Sequence, residues 1–128
     1  MNLIWALAVG LGAFAGAIVR WLLGIALNPL LPSLPLGTLA ANLVGGLIMG
    51  LALGLFAHYE ALPIVWRLAL TTGFLGGLTT FSTFSAETIT LLLRQQYGWT
   101  AAIVLAHVGG SLLLTLFGVV LMRALLRL

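Results

Sequence analysis

Hydrophobic residues form four long runs along the chain, and three short polar segments separate them. The runs cover approximately residues 3–27, 36–57, 64–93 and 100–122. A helix that crosses a lipid bilayer needs about 20 mostly apolar residues, and each run reaches that length. The segments between the runs carry the prolines and polar residues that end helices, "NPLLPSLP", "HYEALP" and "RQQYGW". The pattern predicts an all-α membrane protein, with one domain over residues 1–128 and four transmembrane helices.

The third run is longer than one spanning helix needs, and it contains "GGLTTFSTFSAET" at residues 76–88. Glycine lacks a side chain and threonine is β-branched, so both weaken the continuity of a helix. Irregular backbone at membrane depth is tolerated only where it is buried in protein or lines a cavity. A broken helix also exposes carbonyl and amide groups that bind ions in many transporters. We therefore predict a break in the third helix near residues 76–80.

Composition supports the membrane assignment, because charged residues make up only 5% of the chain, against roughly 25% in soluble domains. Lipid solvates such a surface and water does not. The net charge of +3 comes from singly placed arginines, which does not indicate nucleic-acid binding. The chain has no cysteine, which excludes disulfides, thiolate metal sites and cysteine nucleophiles. We interpret the first run as a retained span rather than a cleaved signal peptide, because three more spans follow it.

The five arginines are distributed almost evenly between the two sides of the membrane. Four spans place both termini on one side, which holds Arg67, Arg123 and Arg127, whereas Arg20 and Arg94 belong to the other. Three against two is almost no positive-inside bias. The count fits a fixed topology with a weak signal, and it fits equally a dual topology in which subunits insert in both directions.

Glycines recur at four-residue spacing on the first two spans. Such ladders let helix backbones approach closely in lipid, where no hydrophobic effect drives their association. They predict close packing within or between subunits, and a bundle of four helices with little interior favours an oligomer. The positions are Gly12, Gly16 and Gly24 on the first span, with Arg20 at the intervening step, and Gly46, Gly50 and Gly54 on the second.

Polar side chains inside the spans share helix faces. Thr38 and Asn42 are one turn apart on the second span, and His107, Ser111 and Thr115 form a stripe on the fourth. Polar groups in a bilayer usually face protein or a water-filled path. A single hydroxyl in a span, however, more often bonds to a carbonyl of its own helix. His107 is more simply interpreted as an interhelical hydrogen-bond partner than as a ligand, whereas the Asn42 amide has two donors and an acceptor to satisfy.

Phe81 and Phe84 lie at positions i and i+3, on one side of the second half of the broken helix. Packing is the ordinary role of two such phenylalanines. The edge of an aromatic ring is electropositive, so the pair also suits an anion.

At this point the residues resemble a known family. Residues 73–85, "GFLGGLTTFSTFS", are similar to the signature of the Fluc (CrcB-type) fluoride channels, and so are "AANLVG" at 40–45 and "GGSLLLTLFG" at 109–118. The resemblance covers essentially the whole chain. It implies a fluoride-selective ion channel of the cell (inner) membrane, not an enzyme, which lets fluoride leave the cytoplasm passively. It further implies an antiparallel, dual-topology homodimer with two pores, each built from both chains. The choice of fluoride over other small anions rests on the resemblance alone.

The resemblance also assigns roles to individual positions. Arg20 corresponds to an arginine at the aqueous vestibule, and Glu87 to an acidic residue in the second half of the third span. The backbone carbonyls of Gly76 and Thr79, from both subunits, correspond to the site of a structural sodium ion. The positions that match the fluoride pathway are Phe81, Phe84, Asn42, Thr38, Ser82, Thr83, Ser111 and Thr115.

Three other functions compete with this one. A proton-coupled small multidrug exporter is also a four-span dual-topology dimer, but it uses a membrane glutamate in the first span, and this chain has none there. A structural subunit of a larger complex explains the glycine ladders but not the hydroxyl-rich third span. An intramembrane serine hydrolase could pair Ser111 with His107, but no nucleophile-elbow motif accompanies them. The exporter is therefore the alternative.

Overall fold

The computed structural model describes residues 1–127 and consists of helices long and apolar enough to cross a membrane four times. We number them α1 (Leu3–Leu27), α2 (Leu36–His58), α3 (64–78), α4 (Phe81–Leu93) and α5 (Tyr97–Leu126). The third span, Ile64–Leu93, comprises α3 and α4. The prediction of an all-α chain with four spans is confirmed, and the fourth span extends a few residues beyond its predicted ends.

Two stretches of wider π-helix interrupt the regular winding, Ala69–Leu75 in α3 and Leu105–Gly109 in α5. Such stretches are rare and occur frequently at functional sites. Each stretch lies in the first half of its span, Ile64–Leu93 or Tyr97–Leu126.

Glycines bring the helices into close contact within the chain. A Cβ atom on Gly118 of α5 would lie 2.6 Å from the Leu47 carbonyl oxygen of α2, and one on Gly73 of α3 would lie 2.8 Å from the Val9 carbonyl oxygen of α1. Added Cβ atoms on Gly16 and Gly50 would likewise meet the backbone of α3 and α5. The ladders therefore pack α1 on α3 and α2 on α5, as close approach in lipid requires.

The interior of the chain is small. One buried cluster contains Ala41, Leu75 and Leu78, and a second contains Phe84, Leu91 and Ile103. By contrast, large apolar side chains of α1 stay exposed, as in Leu11 at 71% and Phe14 at 69%. A surface of this kind is stable only against lipid or another protein chain.

The break in the third span consists of Thr79 and Thr80, whose backbone is extended (φ −84°, ψ 152° and φ −147°, ψ 112°). It lies inside the interval 76–80, but Gly76 and Gly77 themselves remain helical. Gly77 is needed there for contact, since a Cβ on it would lie 3.0 Å from the Ala13 Cα of α1. The β-branched threonines, rather than the glycines, therefore carry the change of direction.

A side chain fixes where the second half-helix begins. The Thr80 hydroxyl accepts a hydrogen bond from the Thr83 backbone N–H at 3.1 Å, so Thr80 is the N-cap of α4.

The number of crossings determines which helix ends share a membrane face. α2 and α5 both run toward the face that carries the N-terminus, so His58 and Arg123 share one membrane face with Met1.

Candidate functional site

A groove of about 460 Å³ lies between α2, the break and α5. It is open along one side of the chain, and its walls are mostly apolar with a few polar groups, as is usual for ligand-binding clefts. We call it the central groove. It brings together seven of the residues predicted for the pore or the sodium site, Asn42, Gly76, Thr79, Phe81, Phe84, Ser111 and Thr115, and adds Thr80 and His107.

Asn42 of α2 fixes the break by a two-way contact with Thr80. Its Oδ1 accepts from the Thr80 backbone N–H at 2.8 Å, and its Nδ2 donates to the Thr80 carbonyl at 3.2 Å. These two bonds satisfy both backbone groups of a residue that lies outside any helix, which buried backbone requires. The Asn42 amide therefore has protein partners in this arrangement and anchors the break to α2.

His107 of α5 completes the contacts of Asn42. Its Nδ1 lies 2.9 Å from Asn42 Nδ2. Since Asn42 Oδ1 already accepts from a backbone N–H, Nδ2 is the donor and Nδ1 the unprotonated acceptor, and a neutral ring then carries its proton on Nε2. The ring stacks on Phe84 with centroids 4.7 Å apart. The prediction that His107 is an interhelical hydrogen-bond partner is confirmed, and its buried Nε2 has no partner among residues 1–127.

The two phenylalanines have unequal environments. Phe84 is 7% exposed and belongs to a buried cluster, whereas Phe81 is 77% exposed in the isolated chain. Their rings lie edge to face, with centroids 5.5 Å apart and planes at 68°. Packing inside this chain explains Phe84 but not Phe81, whose ring projects from the wall of the central groove.

The hydroxyl groups divide by where their protons go. Thr79, Thr88 and Thr90 donate to carbonyls of residues four positions earlier, at 2.7–2.8 Å, which is the bonding expected of single hydroxyls in a span. Thr115 also donates to carbonyls, those of Ser111 and Gly46. Such hydroxyls keep their oxygen lone pairs but have no proton left for an anion.

Two other hydroxyls keep a donor available. The Thr83 oxygen accepts from Thr80 Oγ1 at 3.1 Å, so the Thr83 proton is not committed by that bond. The Ser111 hydroxyl lies in the groove wall and makes no hydrogen bond among residues 1–127. Ser82 lies 3.3 Å from Thr80 Oγ1 and is exposed, outside the central groove.

A second cavity, of about 310 Å³, lies on the other side of the break and contains Arg20, Thr38, Thr80 and Thr83. We call it the arginine cavity. Arg20 Nε donates to the Gly77 carbonyl at 3.0 Å, which holds the guanidinium against the last turn of α3. Thr80 contacts both cavities, so the break separates them by a single residue.

Glu87 lies outside both cavities but is linked to one of them. The Thr38 hydroxyl donates to Glu87 Oε1 at 2.7 Å, and the buried Oε2 has no partner among residues 1–127. Thr38 in turn is only 4% exposed. The Thr38 hydroxyl proton is therefore engaged by the Glu87 carboxylate and is not available to an ion in the arginine cavity.

The break leaves two carbonyl groups without their ordinary helical partners. The N–H of Thr80, four residues after Gly76, points to Asn42 Oδ1 instead. The N–H of Thr83, four residues after Thr79, points to the Thr80 hydroxyl. Both residues line the central groove. The carbonyl groups of Gly76 and Thr79 thus fit the chemistry of a hard cation, which prefers oxygen ligands.

Thr80 is the functional residue that the sequence prediction left out. It caps α4, meets Asn42 and lines both cavities. Threonine is a preferred N-cap residue, so a threonine immediately before the half-helix that starts at Phe81 could have identified it. Asn28 was also missed. Its Oδ1 accepts from the N–H groups of Gly37 and Thr38, a contact across a loop that no local pattern predicts.

Comparison with known proteins agrees with the sequence motifs. The family model "CrcB-like protein, Camphor Resistance (CrcB)" matches residues 7–119. A protein of Nitrosospira multiformis is 56% identical over 123 residues, which is 96% of either chain. One of Pseudomonas paraeruginosa is 58% identical over 112 residues, 88% of either chain, and one of Chromobacterium violaceum is 58% identical over 113 residues, 88% of this chain and 90% of that one. All three are named fluoride-specific ion channel FluC, so the predicted resemblance is confirmed and the chain belongs to the CrcB-like family.

Proposed function

We propose that this protein is a fluoride-selective ion channel that lets fluoride leave the cytoplasm by passive permeation. Relatives at 56–58% identity carry that name, and no enzymatic chemistry is required. The observation in this chain that carries the proposal is the central groove, where an exposed aromatic ring, unpaired carbonyls and an available hydroxyl line one continuous wall. The exporter alternative lacks support, because the first span has no glutamate and the relatives are named for an ion.

The pathway is completed by a second copy of the chain. The central groove is open along one side, and Phe81 projects from it at 77% exposure. A pore with one wall would expose the permeating ion to lipid, where an unsolvated charge is very costly. The near-even distribution of arginines is compatible with two copies inserted in opposite directions. The family resemblance implies that arrangement, an antiparallel dual-topology homodimer with two pores.

The chemistry of the wall suits a small, strongly hydrated anion. Such an ion enters only if donors replace its water, and it leaves only if no single site binds it too tightly. Phe81 and Phe84 offer positive ring edges. In this wall Ser111 offers a hydroxyl proton, whereas Thr115 supplies an oxygen whose proton is engaged. Thr83, with an available proton, and Thr38, with an engaged one, line the arginine cavity instead. The wall therefore provides several weak donors and no fixed cation.

Asn42 acts differently from the other groups in the pathway. Both of its N–H groups are engaged, with Thr80 and with His107. A fluoride ion that reaches the amide competes with His107 for one of them, while the remaining two bonds keep the break in place. Asn42 thus supports the wall and presents an exchangeable donor.

Arg20 concentrates fluoride at the entrance. Its guanidinium is held at the arginine cavity by the Gly77 carbonyl, one residue layer away from the central groove. A fixed cation in a cleft raises the local concentration of anions without binding them in the narrow part. Ser82 and Glu87 lie outside both cavities, so their contribution is indirect, through Thr80 and Thr38.

A sodium ion is the proposed structural cofactor of the dimer. The carbonyls of Gly76 and Thr79 have lost their helical partners, and four such oxygens from two chains would hold one cation. When bound, the ion supplies the positive charge that satisfies these oxygens. The break then serves as a joint between subunits in the cell (inner) membrane.

Efflux from liposomes tests the proposal directly. The purified protein is reconstituted, and the release of internal fluoride and of internal chloride is recorded with ion-selective electrodes after an ionophore carries the balancing charge. Rapid fluoride release with little chloride release is expected. Liposomes that hold the Phe81→Ile/Phe84→Ile variant provide the matched control. Proton-coupled exchange of a cationic drug with no fluoride release would assign the chain to the exporter class.

A further inference from the structure

A third cavity, remote from the break, lies between the ends of α2 and α5 at the face that carries the N-terminus. It has a volume of about 200 Å³, below the roughly 300–1,000 Å³ typical of pockets for drug-sized ligands. Gly54 and Ala57 form its floor with Leu126, and its basic side chains are His58, Arg123 and Arg127. We call it the basic pocket.

The shape of the basic pocket follows from the glycine ladder. A Cβ on Gly54 would lie 2.8 Å from Met122 Cβ, so α2 and α5 touch at that level. The pocket lies beside this contact, and its lining continues from Gly54 and Arg123 to His58 and Arg127 near the ends of the two helices. The His58 ring is also oriented, since it packs edge to face on Tyr59 with centroids 4.6 Å apart.

The charge of the pocket has no counterpart within residues 1–127. The chain has two acidic residues, of which Glu87 is bound to Thr38 near the arginine cavity and Glu60 does not line the pocket. Arg123 and Arg127 are four residues apart on one helix face, where like charges repel each other. An anion between them would relieve that repulsion.

Two structural roles for these arginines are less satisfactory. Cations near a helix C-terminus are favoured by the helix dipole, but neither guanidinium donates a hydrogen bond to a carbonyl among residues 1–127. A loop-fixing role belongs instead to Arg67, which donates to the carbonyls of Tyr59 and Glu60 at 3.0 and 2.9 Å. Arg123 and Arg127 are therefore available to a ligand, and the mixed lining of guanidinium groups and an apolar floor selects its chemistry.

We propose that the basic pocket binds a phosphate group, with the two guanidiniums and the His58 ring as donors. Guanidinium matches phosphate oxygens in paired hydrogen bonds. The pocket lies at the end of two spans, at the depth where lipid head groups meet water. The phosphate of an anionic phospholipid and free phosphate share this chemistry. The apolar floor formed by Ala57 and Leu126 favours the lipid, whose glycerol carbons would lie against it.

Native mass spectrometry of the whole chain in detergent tests the pocket, with phosphatidylglycerol as the probe and phosphatidylcholine as the reference lipid. One tightly held phosphatidylglycerol per chain is expected. Affinity should fall roughly fivefold for each arginine removed in Arg123→Gln and Arg127→Gln, the effect of one basic residue at an anionic surface. Arg94→Gln, which removes the same charge at the opposite face, is the matched control and should leave the bound lipid unchanged.

Ala57→Leu tests the contribution of the pocket's space independently of its charge, because the larger side chain fills the floor while all arginines remain. Loss of the bound lipid in this variant is expected. If millimolar inorganic phosphate displaces the lipid, the pocket is a phosphate site whose ligand is the free ion rather than the lipid. Binding that falls equally in Arg94→Gln, that survives Ala57→Leu, or that survives in a variant carrying both Arg123→Gln and Arg127→Gln would overturn the proposal. Fluoride efflux of these variants should stay unchanged, so a failure here leaves the channel function untouched.

Discussion

Asn42 and Thr80 exchange two hydrogen bonds, one in each direction, across 38 residues of sequence. The Asn42 side chain thereby satisfies the backbone N–H and carbonyl of Thr80, which the neighbouring turns would satisfy in a regular helix. Because the bonds cross from α2 to the third span, they also fix the depth of the break relative to the second span. The central groove depends on this contact, since Thr80 separates it from the arginine cavity.

Asn42→Leu should therefore destabilise the protein as well as the pathway. It leaves the N–H and the carbonyl of Thr80 unpaired in a buried place, at a cost of about 2–4 kcal/mol for the two groups. The checks are thermal unfolding of the purified protein and fluoride efflux at a temperature where it remains folded. Val44→Leu, on an exposed part of the same helix, controls for added bulk in α2. Unfolding at the wild-type temperature would show that the break does not depend on Asn42.

Substitution of either phenylalanine of the groove should slow permeation, but only substitution of Phe84 should also lower stability. Phe81→Ile removes a ring edge from an exposed position, so we expect fluoride efflux to fall roughly tenfold or more, which corresponds to about 1.4 kcal/mol at the barrier. Phe84→Ile should lower both efflux and stability, because Phe84 is buried. Phe117→Ile, at an exposed position of α5 away from the groove, is the control. Folded Phe81 and Phe84 variants with unchanged efflux would return these residues to packing.

Arg20 should act through its charge and through its anchor. Arg20→Gln is expected to slow fluoride efflux most at low ionic strength, because salt screens a fixed charge over about 10 Å at 0.1 M. Arg20→Lys keeps the charge but loses the planar Nε–H that donates to the Gly77 carbonyl. Its efflux rate should therefore lie between those of the wild type and Arg20→Gln. Efflux rates at low and high salt make the measurement, with Arg94→Gln as the control on the same membrane side. An Arg20→Gln effect that is independent of salt would limit Arg20 to its structural contact.

The proposed dual topology predicts labelling from both sides of the membrane. The chain has no cysteine, so Ser33→Cys in the first loop introduces a single thiol. An impermeant maleimide should modify about half of the chains from outside intact vesicles and the remainder after permeabilisation, as two opposite insertions require. Glu60→Cys, in the loop at the other face, should behave in the same way. If each position labels from one side only, and the two from opposite sides, the subunits share one orientation.

Much of this architecture follows from local properties of the sequence. Apolar run length predicts the four spans, and glycine spacing predicts the contacts that Gly16 and Gly50 make. The weak helix propensity of consecutive threonines places the break. These signals act within a few residues of one another, so a single sequence contains them.

The contacts that build the site are not local in this sense. The Asn42–His107 bond joins residues 65 positions apart, and the Arg20–Gly77 bond joins residues 57 positions apart. Each polar residue requires a partner in the membrane, but composition does not say which one. The division of hydroxyls into engaged and available donors depends on these pairings, so it emerges only from the structure.

The last prediction concerns the carbonyl groups of Gly76 and Thr79. Their ordinary partners, the N–H groups of Thr80 and Thr83, are bound to side-chain oxygens. An unpaired carbonyl in hydrocarbon costs several kcal/mol, and two chains in antiparallel contact would bring four of them to one axis. A sodium ion there would bind the dimer and not the separated chains, so it would stabilise the dimer by mass action.

Replacing sodium with a large organic cation should therefore weaken the dimer and abolish fluoride efflux, whereas no sodium flux should accompany fluoride in normal buffer. The fraction of dimer is measured by chemical crosslinking at a known ratio of protein to lipid. Fluoride efflux is measured with an electrode on the same vesicles. The carbonyls belong to the backbone, so substitution cannot delete them, but Thr79→Ser keeps the carbonyl and serves as a control that should retain the sodium requirement. Full efflux and an intact dimer without sodium would mean that the four oxygens find donors in the partner chain instead.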